Sequence, residues 1–151
     1  MLTVCGNNDS YQILHETYKN IKIPTNFKID LPFLSSISFY NRHTVWTTKD
    51  GKAYAIGSNR EGRICGTLPR EEFSTKRKVI IQDEFGHQCD FKSVVCGHNY
   101  TLYQLFSCNQ FVYVHQVDPT PLFLTIEGPK SISLYGGATI AASIDTEGGI
   151  L

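Results

Sequence analysis

A short strand that runs into Gly-x-Asn occurs twice in this chain, and that recurrence limits the fold more than any other feature. Thr3-Val4-Cys5-Gly6-Asn7-Asn8 returns as Tyr54-Ala55-Ile56-Gly57-Ser58-Asn59. A second unit, Ile37-Ser38-Phe39-Tyr40-Asn41-Arg42-His43-Thr44-Val45, returns as Val94-Val95-Cys96-Gly97-His98-Asn99-Tyr100-Thr101-Leu102. It returns again as Ile132-Ser133-Leu134-Tyr135-Gly136-Gly137-Ala138-Thr139-Ile140. Self-similarity with a period on the order of fifty residues marks a repeat architecture, in which each repeat is one supersecondary unit stacked on its neighbours.

Within the repeats, apolar residues come in short bursts separated by Gly, Asn, Asp or Pro rather than at helical spacing, which predicts β-strands joined by turns. The expected strands are 2–5, 27–29, 37–40, 44–48, 52–56, 78–81, 91–96, 101–106, 111–114, 122–126, 132–135 and 139–144. Residues 11–20 and 69–75 are expected as helical turns. Asp50-Gly51 predicts a hairpin turn, because Gly accepts positive φ at little steric cost. The corresponding turns fall at Ser107-Cys108-Asn109 and Thr146-Glu147-Gly148-Gly149. The chain thus divides into repeats at 1–50, 51–109 and 110–151, each of about four strands, the content of one propeller blade.

The stretch from Thr44 through Trp46, Asp50-Gly51, Gly57-Ser58-Asn59 and Gly62-Arg63-Ile64-Cys65-Gly66 resembles the repeat of the regulator-of-chromosome-condensation family. That pattern is a His-Thr strand, an Asp-Gly turn, an aromatic strand, Gly-x-Asn and then Gly-Gln-Leu-Gly. Arg63 stands for the usual Gln, and one extra residue precedes Gly66. The first repeat carries Tyr11-Gln12-Ile13-Leu14 in the last place, and the third carries Val114-His115-Gln116 where Gly-x-Asn is expected. The resemblance implies an all-β fold, a partial propeller of the seven-bladed type with about three four-stranded antiparallel blades, not closed. Three repeats leave open sheet edges, which implies the N-terminal part of something larger or self-association through those edges.

Fourteen basic and fourteen acidic side chains give a formal net charge of zero, with no like-charge block longer than Lys76-Arg77-Lys78, and that argues against a nucleic-acid surface. Five cysteines without a Cys-x-x-Cys pair suggest neither a disulfide framework nor a zinc ribbon, and point to a reducing compartment. The first ten residues lack a basic region followed by an apolar stretch, and no run of apolar residues is long enough to span a bilayer. A cytoplasmic or nuclear chain without a membrane partner is expected. The sequon Asn99-Tyr100-Thr101 carries no weight without export.

The most metal-like constellation is His87 and Cys89 with Cys96 and His98, but the expected strand separates the two pairs, and no metal or cofactor is expected. Cys65 and His43 are the one Cys–His pair worth drawing, and the bland reading, buried Cys and structural His, is preferred. Gly57, Asn59, Gly62 and Gly66 follow a strand with no helix after them, so they read as a tight blade-to-blade turn in which Asn59 bonds local backbone rather than as a phosphate cradle. Trp46 and Tyr54 are expected to pack between blades. With no catalytic residue indicated, the expected function is a non-catalytic scaffold whose loops 57–74 and 85–90 contact a protein partner. The alternative that the resemblance implies is a small-GTPase regulator acting by guanine-nucleotide exchange.

Overall fold

The computed structural model describes residues 2–13, 19–27, 33–65, 67–107, 109–127, 131–139 and 141–145. Every regular element among them is a β-strand. β1 (Leu2–Gly6) pairs with β2 (Ile21–Phe27). β3 (Leu34–Tyr40), β4 (His43–Thr48), β5 (Ala53–Ser58) and β6 (Glu72–Val79) then form a four-stranded antiparallel sheet in chain order. β7 (Phe91–Cys96), β8 (Tyr100–Leu105), β9 (Gln110–His115) and β10 (Leu122–Thr125) form a second such sheet, and β11 (Ser131–Gly136) pairs with β12 (Ala141–Asp145). The fold is all-β, a partial propeller that does not close. The twelve strands among the described residues make two four-stranded blades and two two-stranded half blades. Among the described residues no helix is long and apolar enough to cross a membrane.

Local chemistry sets the hairpins. Tyr40 pairs with His43 across a two-residue turn, and Asn41 takes φ of 47°, a left-handed conformation that Asn tolerates better than most residues. Gly51 takes φ of 80° in the β4–β5 turn. The blades then stack face to face. Val45, Ala55 and Phe73 of the first whole blade bury against Phe91, Val94 and Tyr103 of the second, with the Phe91 and Tyr103 rings 5.1 Å apart. Small residues on β5 let the sheets approach, and polar side chains complete the joint. Cys96 N–H donates to Ser38 Oγ at 2.9 Å, and Thr47 Oγ1 donates to the Lys92 carbonyl at 3.1 Å.

The repeat chemistry appears twice in the same form. Asn8 and Asn59 are both fully buried, and each accepts the N–H five residues on, from Ile13 and from Ile64, at 2.9 Å. Tyr11 N–H and Gly62 N–H close the same turn onto the Asn8 and Asn59 carbonyls. Both residues have positive φ, 59° and 75°, so Tyr11 occupies a glycine position.

Several expectations need correction. The helical turn at 69–75 is replaced by the opening of β6 at Glu72, where Gly57 and Ser58 offer a partner strand. Of the turn expected at 11–20, residues 14–18 lie outside the described residues, and Tyr11 sits in the Asn8 turn. β2 ends at Phe27, where a strand had been expected to begin, and β6 ends at Val79 rather than running from 78 to 81. The third copy of the hairpin is shifted: Gly136 pairs with Ala141, so Thr139 lies in the connection and does not open a strand. Register places His115 opposite Tyr100, the position that Gly57 holds opposite His43, one residue from the Gly site expected at Val114. Trp46, which is buried, and Tyr54 are register partners that stack on each other on one sheet, ring centroids 5.8 Å apart.

Candidate functional site

An antiparallel meander sends its connections alternately to two ends of the sheets. At one end lie the β3–β4, β7–β8 and β11–β12 turns with the long β5–β6 loop. Ser58 N–H donates to the Arg42 carbonyl at 2.7 Å, Gln116 N–H to Asn99 O at 2.9 Å, and His98 N–H to Ala138 O at 2.8 Å. At the other end lie the Asp50-Gly51 turn, the connection from Ile80 to Asp90 and the β8–β9 turn. Here Phe91 N–H donates to Gly51 O at 2.9 Å, Phe106 N–H to Asp90 O at 3.2 Å, and Ile126 N–H to Asn109 O at 2.9 Å. The loops 57–74 and 85–90 start from opposite ends, but the longer one reaches the connection that carries the other: Thr67 Oγ1 donates to the Ile80 carbonyl at 2.9 Å, and Thr67 and Leu68 line a cavity with Ile81, Gln82 and Asp83.

The first end is built for rigidity. Asn59 Nδ2 donates to the carbonyls of Cys65 and Pro69, both at 3.1 Å, while its Oδ1 holds Ile64 N–H. One side chain thus folds the loop around itself. Gly57 is fixed there by φ of 97° and by a Cβ position only 2.4 Å from the Arg42 carbonyl oxygen. Arg63 reaches across to the next blade, donating to the His98 carbonyl at 2.8 Å and pairing with Glu61; burial lowers its pKa, and nearby Arg42 adds to this. His43 is fully buried between the blades with Nε2 3.2 Å from Thr101 Oγ1 and no partner for Nδ1. Burial, with a smaller push from the Arg63 cation, lowers its pKa to about 3, so the ring is neutral and shares one hydrogen bond with the Thr101 hydroxyl through Nε2.

The second end presents an apolar groove. Residues 81–89 fold into a small hairpin, with Cys89 N–H bonded to Ile81 O and Gly86 at φ of 81°. Asp83 Oδ1 accepts the N–H groups of Phe85 and His87 at 2.9 and 2.8 Å. Burial pushes the Asp83 pKa up, but these backbone bonds and the His87 ring outweigh it, and the pKa is lowered. The carboxylate holds Phe85 at the tip, 75% exposed. Phe106, 48% exposed, follows β8, and Phe123, 42% exposed, comes from β10. Together with Leu124, Asp83, Glu84 and Asp90 they line a cavity of about 470 Å³. No lysine or arginine is among its described lining residues, although Lys52 pairs with Asp90 at 3.6 Å.

The remaining candidates do not converge. His87 and Cys89 precede β7, whereas Cys96 ends it and His98 lies beyond, so a six-residue strand, roughly 20 Å long at about 3.3 Å per residue, separates the pairs. His87 Nδ1 faces Asp83 at 3.5 Å, and His98 Nδ1 lies 3.3 Å from Asn41 Nδ2. Among the described residues no three metal-ligating side chains gather. Cys65 Sγ lies 3.0 Å from Thr67 Oγ1 and 3.6 Å from the Ile80 carbonyl, which leaves it occupied by local partners. Gly66 lies outside the described residues. Sequence reasoning did not single out Phe106, which follows β8, or Phe123 and Leu124 of β10.

No protein-family model matches the sequence, and no curated protein matches it. Similar solved structures do exist. Human WBSCR16 superposes with a TM-score of 0.73 at 13% identity over 98% of this chain and 41% of its own. Yeast RCC1 (Prp20), in a crystal structure with Kap60 bound, superposes with a TM-score of 0.71 at 16% identity, over 99% of this chain and 38% of its own. The chain spans about two fifths of the length of these proteins. At such identities the likeness establishes the fold, an RCC1-like β-propeller.

Proposed function

We propose that this chain is a non-catalytic protein-interaction module that takes its partner in the groove between Phe85, Phe106 and Phe123. The observation that carries this reading is the cluster of three exposed aromatic rings around one cavity, rimmed by Asp83, Glu84 and Asp90. Apolar surface gathered in a concavity and ringed by charge marks an interaction site, whereas single exposed apolar residues do not. The presentation is preorganised, because the Asp83 carboxylate and the Gly86 turn hold Phe85 out before any partner arrives. The yeast structure, in which Kap60 is bound to a protein of this fold, fits a binding role.

Site-specific photocrosslinking tests the reading. A benzophenone side chain at Phe85 should yield a crosslinked partner, and the same group at Arg70, at the opposite end of the blades, should not. Equal yields at both positions, or a product only at Arg70, would move the site away from the groove. The rival reading is guanine-nucleotide exchange on a small GTPase, which rests on the repeat resemblance; acceleration of nucleotide release by the purified chain would favour it.

A further inference from the structure

Among the described residues the four sheets end on eight strands, and the edges of β2 and β6 are guarded. β2 carries Lys22 and Pro24. β6 carries Lys76, Arg77 and Lys78 in succession, all exposed. Lysine and proline on an edge strand discourage pairing with another chain, because one resists desolvation and the other lacks an N–H. β10, Leu122-Phe123-Leu124-Thr125, has neither safeguard, and all four residues are exposed. It is terminal in its sheet, with β9 on one side and, among the described residues, no strand on the other.

The hydrogen-bonding phase of that edge follows from the register. Ile126 N–H donates to Asn109 O, and Leu124 and Leu122 share its phase, opposite Phe111 and Tyr113. In an antiparallel ladder, bonded and non-bonded pairs alternate. The backbone N–H and C=O groups of Phe123 and Thr125 therefore point away from β9, toward the free edge. A cavity lies at each end of this strand. The aromatic groove includes Phe123 and Leu124, and a second cavity of about 500 Å³ is lined by Tyr113, His115, Val117, Asp118 and Leu122. Four carboxylates, Asp83, Glu84, Asp90 and Asp118, line the two, with no lysine or arginine among their described lining residues.

We infer that the free edge of β10 is a strand-addition site for an extended segment of a partner protein in which apolar residues alternate with lysine or arginine. The added strand pairs with the outward backbone groups of Phe123 and Thr125, its apolar side chains enter the flanking cavities, and its cations meet the carboxylates. This rests on the groove being the partner site, and it names the partner's chemistry and binding mode.

The test is fluorescence anisotropy of the full chain with a labelled probe, Lys-Val-Lys-Phe-Lys-Val-Lys. Companion probes carry Glu for Lys, or N-methyl groups on alternate amides in each of the two phases. The parent probe should bind, the Glu probe should not, and one N-methyl phase should bind at least about tenfold more weakly, since each lost backbone bond removes about 0.5–1.5 kcal/mol. Thr125→Pro removes only an outward N–H and should weaken the parent probe by a similar factor, with the melting temperature monitored as a folding control. Equal binding of both N-methyl probes would overturn strand addition while leaving the groove in place. Binding that responds to Thr125→Pro but not to Phe85→Ala would keep strand addition and discard the groove. No binding of the parent probe, equal binding of the Glu probe, or a dimer that Thr125→Pro dissolves would each overturn the inferred partner.

Discussion

Acidification should weaken this fold well above the range in which carboxylates titrate, and His43 is the reason. Its ring is sealed between two blades, Nε2 serves Thr101, Nδ1 faces no acceptor, and the Arg63 cation is near. The folded-state pKa is lowered to about 3 from 6.5. Above 6.5 the ring is neutral in both folded and unfolded chains, so the full stability is present. As pH falls below 6.5 the unfolded chain takes up a proton that the folded one refuses, and stability is lost until the folded pKa is reached. The slope is about 1.4 kcal/mol per pH unit, so about 2 kcal/mol should disappear between pH 6.5 and 5. Urea unfolding followed by tryptophan fluorescence at pH 7.5, 6 and 5 measures this directly, since Trp46 lies on the same strand as His43. The His43→Gln variant, starting from a lower stability, should lose that dependence. A wild-type midpoint that stays flat from pH 7.5 to 5, or a variant that keeps the dip, would refute the assignment.

Three further outcomes follow from buried contacts. Asn59→Ala removes the bonds to Ile64, Cys65 and Pro69 and should cost about 2–4 kcal/mol by urea unfolding, with proteolysis appearing first within the β5–β6 loop. Tyr103→Phe leaves the Ile64 carbonyl without the hydroxyl that donates at 2.7 Å, and a loss of about 1–2 kcal/mol is expected by the same assay. Cys5 is exposed, whereas Cys96 is buried with its thiol pKa pushed up to about 12 by burial, so at pH 8 a disulfide reagent should label Cys5 and spare Cys96 until denaturant is added, as peptide mapping will show.

The inner strands were legible in the sequence because both of their faces are covered. β4, His43–Thr48, is buried along nearly its whole length, and such strands read as compact apolar bursts bounded by turns. Two of the outer strands, β2 and β6, were not. β2 reads Ile-Lys-Ile-Pro-Thr-Asn-Phe and β6 reads Glu-Phe-Ser-Thr-Lys-Arg-Lys-Val, so their polar composition reflects an open edge rather than a loop. The shifted hairpin at Thr139 shows the limit of matching by residue type, since Gly136-Gly137 permits more than one turn length where Asn41 does not. Asn59 binds local backbone as its composition suggested, but the segment that opens at Gly57 joins β5 to β6 within one blade rather than one blade to the next. The groove was half visible: the loop 85–90 was singled out, but Phe106 and Phe123 join it only when the second whole blade folds back beneath that loop.

The central claim is that the partner site lies at the end carrying Phe85, and hydrogen–deuterium exchange with a bound basic, apolar peptide tests it most directly. The account predicts slowed exchange at Phe85, His87, Phe123 and Thr125, with no change in the 59–71 loop. Protection confined to that loop, leaving the groove unchanged, would contradict it.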